Sequence, residues 1–175
     1  MMSRLLTQLP CLNGKWLAIK HSLNVNTGTL KVSLRSNTMS HHCSAALLRC
    51  MDFRLDPETT TYFREKGLIG DIDIISVAGA SKAIAQTKES FPEIQIDLSV
   101  ELHGIETLYV MHHSDCGAYG GKAATESPEQ EKEMHLADMR IAKEKILQKH
   151  SSLNIVFLYA ILDDKGKVIL IEEVF

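Results

Sequence analysis

Two short motifs place metal-ligand side chains at widely separated points of the chain: Cys50 to Arg54, and His113 to Gly117. Cys50, His113 and Cys116 are side chains that zinc prefers, and three protein ligands with an open fourth position are typical of catalytic zinc. Cys50 and His113 are 63 positions apart, so the two motifs must lie on different elements that the fold brings together. The motifs predict a zinc centre built across a tertiary structure, because a zinc knuckle would need two Cys-x-x-Cys pairs.

A short apolar run precedes each motif and predicts a buried parallel strand with the ligands at its carboxyl end. Helical patterns separate the apolar runs, and alternation of strands with helices indicates an α/β protein with a mostly parallel sheet. After the turn Asp-Asp-Lys-Gly, alternating residues predict an antiparallel edge strand. The five expected strands are residues 45–48, 72–77, 105–111, 154–162 and 167–172.

Three helices are expected between the strands. The first begins at Asp56 and Pro57, which are suited to a helix start, and it ends at Gly67. The third opens at Ser127 with a capping box. Apolar residues at helical spacing predict one apolar face each for the second and third helices. These residues are Phe91, Ile94, Leu98 and Leu102 in the second, and Met134, Ala137, Ile141, Ile146 and Leu147 in the third.

Composition excludes several classes of protein. The 175 residues are 45% hydrophobic and carry a net charge of −3, which predicts one domain with a real core and no nucleic-acid surface. No apolar run is long enough for a membrane span. Two of the four cysteines belong to the metal motif, and the others, Cys11 and Cys43, need no partner. A reducing compartment, and hence a cytoplasmic location, is the simpler interpretation.

Residues 1–38 differ from residues 39–175, which we expect to form a single zinc-binding α/β domain. They contain five basic residues and no acidic one, and the first acidic residue of the chain is Asp52. Such a composition is typical of a mitochondrial presequence, which would place the protein in the matrix. Two other interpretations stay open: translation starts at Met39, or the stretch is an arm that clasps a partner subunit.

The pattern Cys-x-Asp-x-Arg, followed at this distance by His-x-x-Cys-Gly, resembles the β-class carbonic anhydrases from about Ala45 to the C-terminus. Gly70-Asp71 and residues 77–80 also resemble the smaller, divergent members. The resemblance implies a sheet of order 2-1-3-4 with an antiparallel edge strand 5 and helices on both faces. Strands one and three would then be neighbours, and the two motifs would meet at the topological switch point.

The resemblance also implies a reaction, namely reversible hydration of carbon dioxide to bicarbonate by a hydroxide held on one zinc ion per chain. Asp52 and Arg54 match the catalytic pair of the family. An Asp52–Arg54 pair would mean an open site, and an Asp52–zinc bond would mean a closed one. The family forms homodimers or dimers of dimers, and no nucleic acid or membrane partner is expected. Four residues match the substrate pocket and its loops: Phe53, Ala78, Gly79 and Gly117.

The pocket departs from the family pattern. Phe53 stands where a small residue is usual, Ser76-Val77 stands where many members carry Arg-Asn, and the glutamine that borders the pocket has no counterpart. Two alternatives therefore stay open beside carbonic anhydrase. One is a hydrolase of a linear analogue, carbonyl sulfide or carbon disulfide, and the other is a catalytically silent, zinc-stabilised binding protein.

Three further polar positions have a structural interpretation beside a functional one. His112 and His113 are adjacent on a strand, so their side chains point to opposite faces, and we expect His112 to pack beneath the site. Asp115 is either an acceptor for the ligating histidine or a surface residue. His41 and His42 precede a strand, where adjacent histidines are more often exposed than coordinating.

Overall fold

The computed structural model describes residues 41–175, so the predictions for residues 1–38 lie outside the described part. One five-stranded sheet has the order β2-β1-β3-β4-β5. Strands β1 to β4 pair in parallel, and β5 is antiparallel to β4. The predicted fold class and strand order are confirmed. The strands are β1 (Ala45–Arg49), β2 (Ile72–Ser76), β3 (Thr107–His113), β4 (Asn154–Leu162) and β5 (Val168–Glu173).

Helices cover both faces of the sheet. The α-helices are α1 (Asp56–Glu65), α2 (Lys82–Gln86), α3 (Phe91–Leu98) and α4 (Pro128–Lys149). Successive residues of β1 alternate between two hydrophobic cores: Ala46 and Leu48 face the core that α2 and α4 cover, whereas Leu47 faces the core that contains Phe63 of α1. The described chain contains no helix long and apolar enough to cross a bilayer.

Short helical turns complete the connections. A 3-10 turn precedes α1, and Asp52 caps it by accepting a hydrogen bond from the Arg54 backbone N–H at 3.0 Å. A π-helical turn extends α3 and ends before Gly104, which forms a left-handed C-cap with a φ of 67°. These turns are Phe53–Leu55, Ser99–His103, Gly117–Tyr119 and Lys122–Ala124.

The apolar stripe predicted for the second helix faces outward. Phe91 is 61% exposed and Leu102 is 63% exposed, and Ile94 and Leu98 are also exposed, whereas Ile96 is buried. A core-facing role for this stripe is wrong, because the core takes the opposite face of the helix. A row of exposed apolar side chains on one helix commonly marks a contact surface.

The buried face of α4 also differs from the predicted one. Ala137 and Ile141 are exposed, although Ile146 is buried as expected. The buried face instead includes His135 and Asp138. Asp138 accepts hydrogen bonds from Tyr119 Oη at 2.8 Å and from the Gln86 side chain at 3.0 Å. These partners make burial of a polar residue possible, and hydrophobic periodicity cannot detect such a face.

Candidate metal centre

Two neighbouring strands bring the ligands together. Strand β1 pairs with β3 in parallel, with Arg49 opposite Met111, so both strands end at the same edge of the sheet. Cys50 directly follows β1, and His113 ends β3. One ligand atom from each of Cys50, His113 and Cys116 lies within 4.8 Å of the other two, and all three residues are buried. The sheet topology therefore assembles the predicted trio.

The positions of the three ligand atoms fit zinc. The two sulfur atoms of Cys50 and Cys116 are 3.9 Å apart. Two thiolates bound to a tetrahedral zinc lie about 3.8 Å apart, since each Zn–S bond is about 2.3 Å. A disulfide would instead need a separation of about 2.05 Å.

His113 presents a free nitrogen to the two sulfurs. Its Nδ1 donates to the carbonyl oxygen of Ser114 at 2.8 Å, which leaves Nε2 with a lone pair. Nε2 is buried and has no hydrogen-bond partner among residues 41–175. An unpartnered buried nitrogen is costly, and coordination of a metal would satisfy it.

A hydrogen bond between the two sulfur atoms shifts the pKa of each thiol. The hydrogen bond with Cys116 lowers the pKa of Cys50, while the same hydrogen bond and burial raise the pKa of Cys116. Backbone N–H groups, including that of Gly79, also stabilise the Cys50 thiolate. A divalent cation would stabilise the second thiolate as well, because a coordinating thiol loses its proton.

A pair of carboxylates holds Arg54 beside the trio. Arg54 donates to Asp52 from Nε at 3.0 Å and 3.1 Å and from Nη2 at 2.7 Å, and to Asp115 Oδ2 from Nη1 at 2.8 Å. These hydrogen bonds lower the pKa of both carboxyl groups, so both are ionised at neutral pH. Asp52 Oδ2 lies 3.9 Å from His113 Nε2. The Asp52 carboxylate is thus fixed next to the three ligand atoms.

Asp115 has a role that the sequence did not reveal. It binds Arg54 rather than a ligating histidine, and it adopts a φ of 56°, which is unusual for a residue other than glycine. The backbone N–H of Asp115 donates to Glu131 at 2.6 Å, and its Oδ1 accepts from the Lys122 N–H at 3.2 Å. A Cβ on Gly121 would lie 3.0 Å from this Oδ1, so Gly121 leaves the room that the carboxylate needs.

The predicted pocket residues occupy different environments. Gly79 is buried at a φ of 72°, and a Cβ there would lie 3.0 Å from the Ala118 side chain. The loop after β2 therefore packs closely on the loop after β3, and the small residue at position 79 makes this possible. Phe53 is 81% exposed, and Ala78 and Gly117 are exposed too. A role for Phe53, Ala78 and Gly117 in substrate binding stays a prediction.

A chain of buried polar side chains lies beneath the trio. His112 Nε2 accepts a hydrogen bond from the Ser81 backbone N–H at 3.2 Å, which leaves the proton on Nδ1. That Nδ1 lies 2.9 Å from His135 Nδ1, so the two rings are joined by one hydrogen bond. Burial lowers the pKa of His112, and it lowers the pKa of His135 to about 3. Both rings are neutral near pH 7, and His112 packs beneath the site as predicted.

We expect His135 to make the protein sensitive to acid. In the unfolded chain its pKa is about 6.5, so the unfolded state binds more protons than the native state when the pH falls below that value. Stability is then lost with acid, by about 2 kcal/mol between about pH 6.5 and about pH 5. Urea unfolding of the wild type and His135→Gln at both pH values measures the difference. The variant should lack this part of the pH dependence, and equal pH dependence in both proteins would refute the assignment.

Comparison with known proteins places the chain in a family. Residues 40–172 match the family described as "Putative carbonic anhydrase". The uncharacterized protein RC0076 of Rickettsia conorii is 29% identical over 147 residues, which cover 79% of each chain. An uncharacterized protein of Rickettsia bellii is 32% identical over 122 residues, which cover 66% of this chain and 74% of the relative.

The fold has a solved counterpart. A β-carbonic anhydrase, isoform I of Trichomonas vaginalis, superposes on this chain with a TM-score of 0.51 at 16% identity. The match covers 82% of this chain and 87% of the Trichomonas chain. The sheet and the Cys-His-Cys trio define an α/β protein with a candidate metal centre of the carbonic anhydrase type. The chain belongs to the carbonic anhydrase family matched by residues 40–172.

Proposed function

We propose that the protein catalyses reversible hydration of carbon dioxide to bicarbonate with one zinc ion bound by Cys50, His113 and Cys116. The observation that supports this most strongly is the buried Nε2 of His113, which has no partner within residues 41–175 and lies beside two sulfurs 3.9 Å apart. Zinc, when bound, lowers the pKa of a water from about 15.7 toward neutrality and so supplies the nucleophile.

The charges of the trio suit an uncharged substrate and an anionic product. Two thiolates and a neutral imidazole balance the charge of a divalent cation, so the centre has little net attraction for bicarbonate. Carbon dioxide needs no charged partner to enter. An approximately neutral centre therefore favours release of the product over its retention.

Asp52 would accept a hydrogen bond from the attacking water and orient it. The arginine fixes the carboxylate in one orientation through three hydrogen bonds and prevents its protonation near pH 7. With Asp52 paired to Arg54, a metal held by Cys50, His113 and Cys116 would keep its fourth position free for water. To reach the metal, Asp52 would have to give up these hydrogen bonds, so Arg54 and its anchor Asp115 oppose closure.

Competing substrates test the proposal directly. Rates of hydration of carbon dioxide and of hydrolysis of carbonyl sulfide and carbon disulfide should be measured on one zinc-loaded sample. We expect the largest kcat/KM for carbon dioxide. A larger value for either sulfur compound would replace the proposed substrate, and no turnover on any of the three would leave a zinc-stabilised binding protein.

We also propose that the protein forms a homodimer through the side of the sheet that β2 occupies. Strand β2 is at the edge of the described sheet, and α3, which packs against it, presents the exposed apolar stripe. An edge strand leaves backbone N–H and C=O groups free, and a second copy related by a two-fold axis can pair with them.

Charge substitutions on two helices separate this surface from others. Ile94→Glu should convert the dimer to a monomer, because a carboxylate would be buried in the contact, whereas Ile141→Glu on α4 should leave the dimer intact. Both positions are 43% exposed, so neither change disturbs the core. Size-exclusion chromatography with light scattering measures the mass. A monomeric wild type, or a dimer that survives Ile94→Glu, would rule out this surface.

A further inference from the structure

A second group of potential ligands lies at the amino end of the sheet. Cys43 precedes β1, Asp73 lies in β2, and His103 ends the π-helical turn after α3. One ligand atom from each lies within 4.8 Å of the other two. A backbone hydrogen bond holds two of these residues together, since the Cys43 N–H donates to the His103 carbonyl oxygen at 3.2 Å.

This group is separate from the first centre. Cys43 and Cys50 are seven positions apart, and most of the six residues between them belong to strand β1, so the span is up to about 23 Å. The first centre lies at the carboxyl end of the parallel strands and the second group at the amino end. No residue belongs to both, so substitutions can test each one independently.

The donor set suits a divalent cation of intermediate softness. A thiolate, a carboxylate and an imidazole supply sulfur, oxygen and nitrogen, all of which zinc accepts in tetrahedral sites. The ionised forms of Cys43 and Asp73 balance the charge of the cation, and His103 adds a neutral ligand. The three side chains are only partly buried, so an ion can reach them from solvent.

His42 lies near the group, although it is not one of the three residues whose ligand atoms lie within 4.8 Å of one another. The ring of His42 lies over Gly104, where a Cβ would be 3.7 Å from His42 Cδ2 and 3.8 Å from Nε2. Gly104 directly follows His103, so the absence of a side chain there lets the His42 ring approach the group. His42 itself is exposed and can move onto a bound ion.

Two simpler interpretations explain less. A reactive nucleophile would need a thiol with a lowered pKa, but burial and the charge of Asp73 raise the pKa of Cys43. A plain ion pair would account for the 2.6 Å contact between His103 Nδ1 and Asp73 Oδ2, and the Cys43 thiol donates to the Ala45 carbonyl oxygen at 3.4 Å, but neither contact requires the three ligand atoms to converge. The pair His150–Asp97 has a similar contact of 2.7 Å and no third ligand within residues 41–175, so it serves as a control.

We propose that Cys43, Asp73 and His103, with His42 as the fourth ligand, form a second site for a divalent cation of the zinc class. A bound cation would take the place of the hydrogen bond that now joins His103 Nδ1 and Asp73 Oδ2. The ion ties the segment before β1 to β2 and to the end of the α3 segment. Its role is to stabilise this end of the domain.

Cobalt and zinc titrations of the metal-free full chain test the second site. We expect two equivalents of zinc to bind the wild type and one to bind Cys43→Ser or Asp73→Asn. In either variant the affinity of the second site for zinc should fall at least about tenfold. His150→Gln should still bind two. Cobalt in Cys50→Ser/Cys116→Ser, which removes both thiols of the first centre, should retain a thiolate charge-transfer band from Cys43, and the further substitution Cys43→Ser should abolish it.

The outcomes separate the two sites. One equivalent in the folded wild type that is lost with Cys116→Ser overturns the second site and leaves the first intact. Two equivalents that persist in folded Cys43→Ser and Asp73→Asn also overturn it. One equivalent that is lost with Cys43→Ser but kept in Cys116→Ser would support the second site and contradict the proposed hydration centre. Circular dichroism of each variant establishes that it is folded.

Discussion

Cys116→Ser is expected to release zinc from the first centre and to reduce carbon dioxide hydration by at least about a thousandfold. The variant removes one of three ligands and leaves Cys50 and His113 without the second thiolate that balances the metal charge. A serine hydroxyl is a poor zinc ligand, because at neutral pH it remains protonated. Stopped-flow hydration assays, with zinc measured on the same samples, give both quantities.

A readout other than activity protects this result from misinterpretation. Zinc binds the native state and not the unfolded one, so it should raise the melting temperature of the wild type. The increase should be much smaller in Cys116→Ser. Ser152→Ala, an exposed loop substitution, serves as the control and should behave as the wild type does. A variant that retains full activity and the full thermal shift would remove Cys116 from the ligand set.

Asp52→Asn is expected to keep zinc while lowering kcat/KM for hydration by about a hundredfold. The amide has the shape of the carboxylate but cannot accept the same charge-assisted hydrogen bonds, so the water is no longer oriented. Arg54 would retain Asp115 as its partner, and the local structure should survive. Metal content and the pH profile of kcat/KM are the measurements.

A double-variant cycle distinguishes orientation from a local structural effect. If Arg54 acts by fixing Asp52, then Arg54→Gln combined with Asp52→Asn should cost little more than Asp52→Asn alone. Additive losses in the cycle would mean that the two residues act separately. An unchanged kcat/KM in Asp52→Asn would show that this carboxylate takes no part in the reaction.

The sequence predicted the strands and the candidate ligands from local signals, because a short apolar run precedes each motif. The order of the strands came instead from the resemblance to the β-class carbonic anhydrases, which makes strands one and three neighbours. In the structure β1 and β3 are paired, so Cys50 and His113 lie at the same end of the sheet, and the short loop after β3 brings Cys116 to the same point.

The remaining parts of the candidate site depend on contacts between distant residues. Asp115 reaches Arg54 across 61 residues, and a Cβ on Gly166 would lie 3.1 Å from Arg54 Cδ, so the turn before β5 also packs on this arginine. Nothing near Asp115 in the sequence signals either contact. No local sequence pattern links Cys43, Asp73 and His103 either, because each residue belongs to a different element.

Hydrophobic patterns predicted the wrong buried face where apolar residues are exposed or polar residues are buried. The exposed stripe of α3 is apolar but lies outside the core of the single chain, which is expected if a second copy covers it. The buried face of α4 carries His135 and Asp138, which have polar partners inside the protein. Periodicity reports only whether a side chain is apolar, so it misassigned both faces.

The most direct test of the account is the rate of carbon dioxide hydration by the zinc-loaded wild type from neutral to alkaline pH. The rate and the zinc content should be measured on the same sample. We predict turnover that rises with pH, because deprotonation of a water supplies the nucleophile. Turnover should also be proportional to the zinc content and should fall when Cys116→Ser removes zinc. A folded, zinc-saturated protein with no hydration above the buffer rate at any pH would contradict the proposed function.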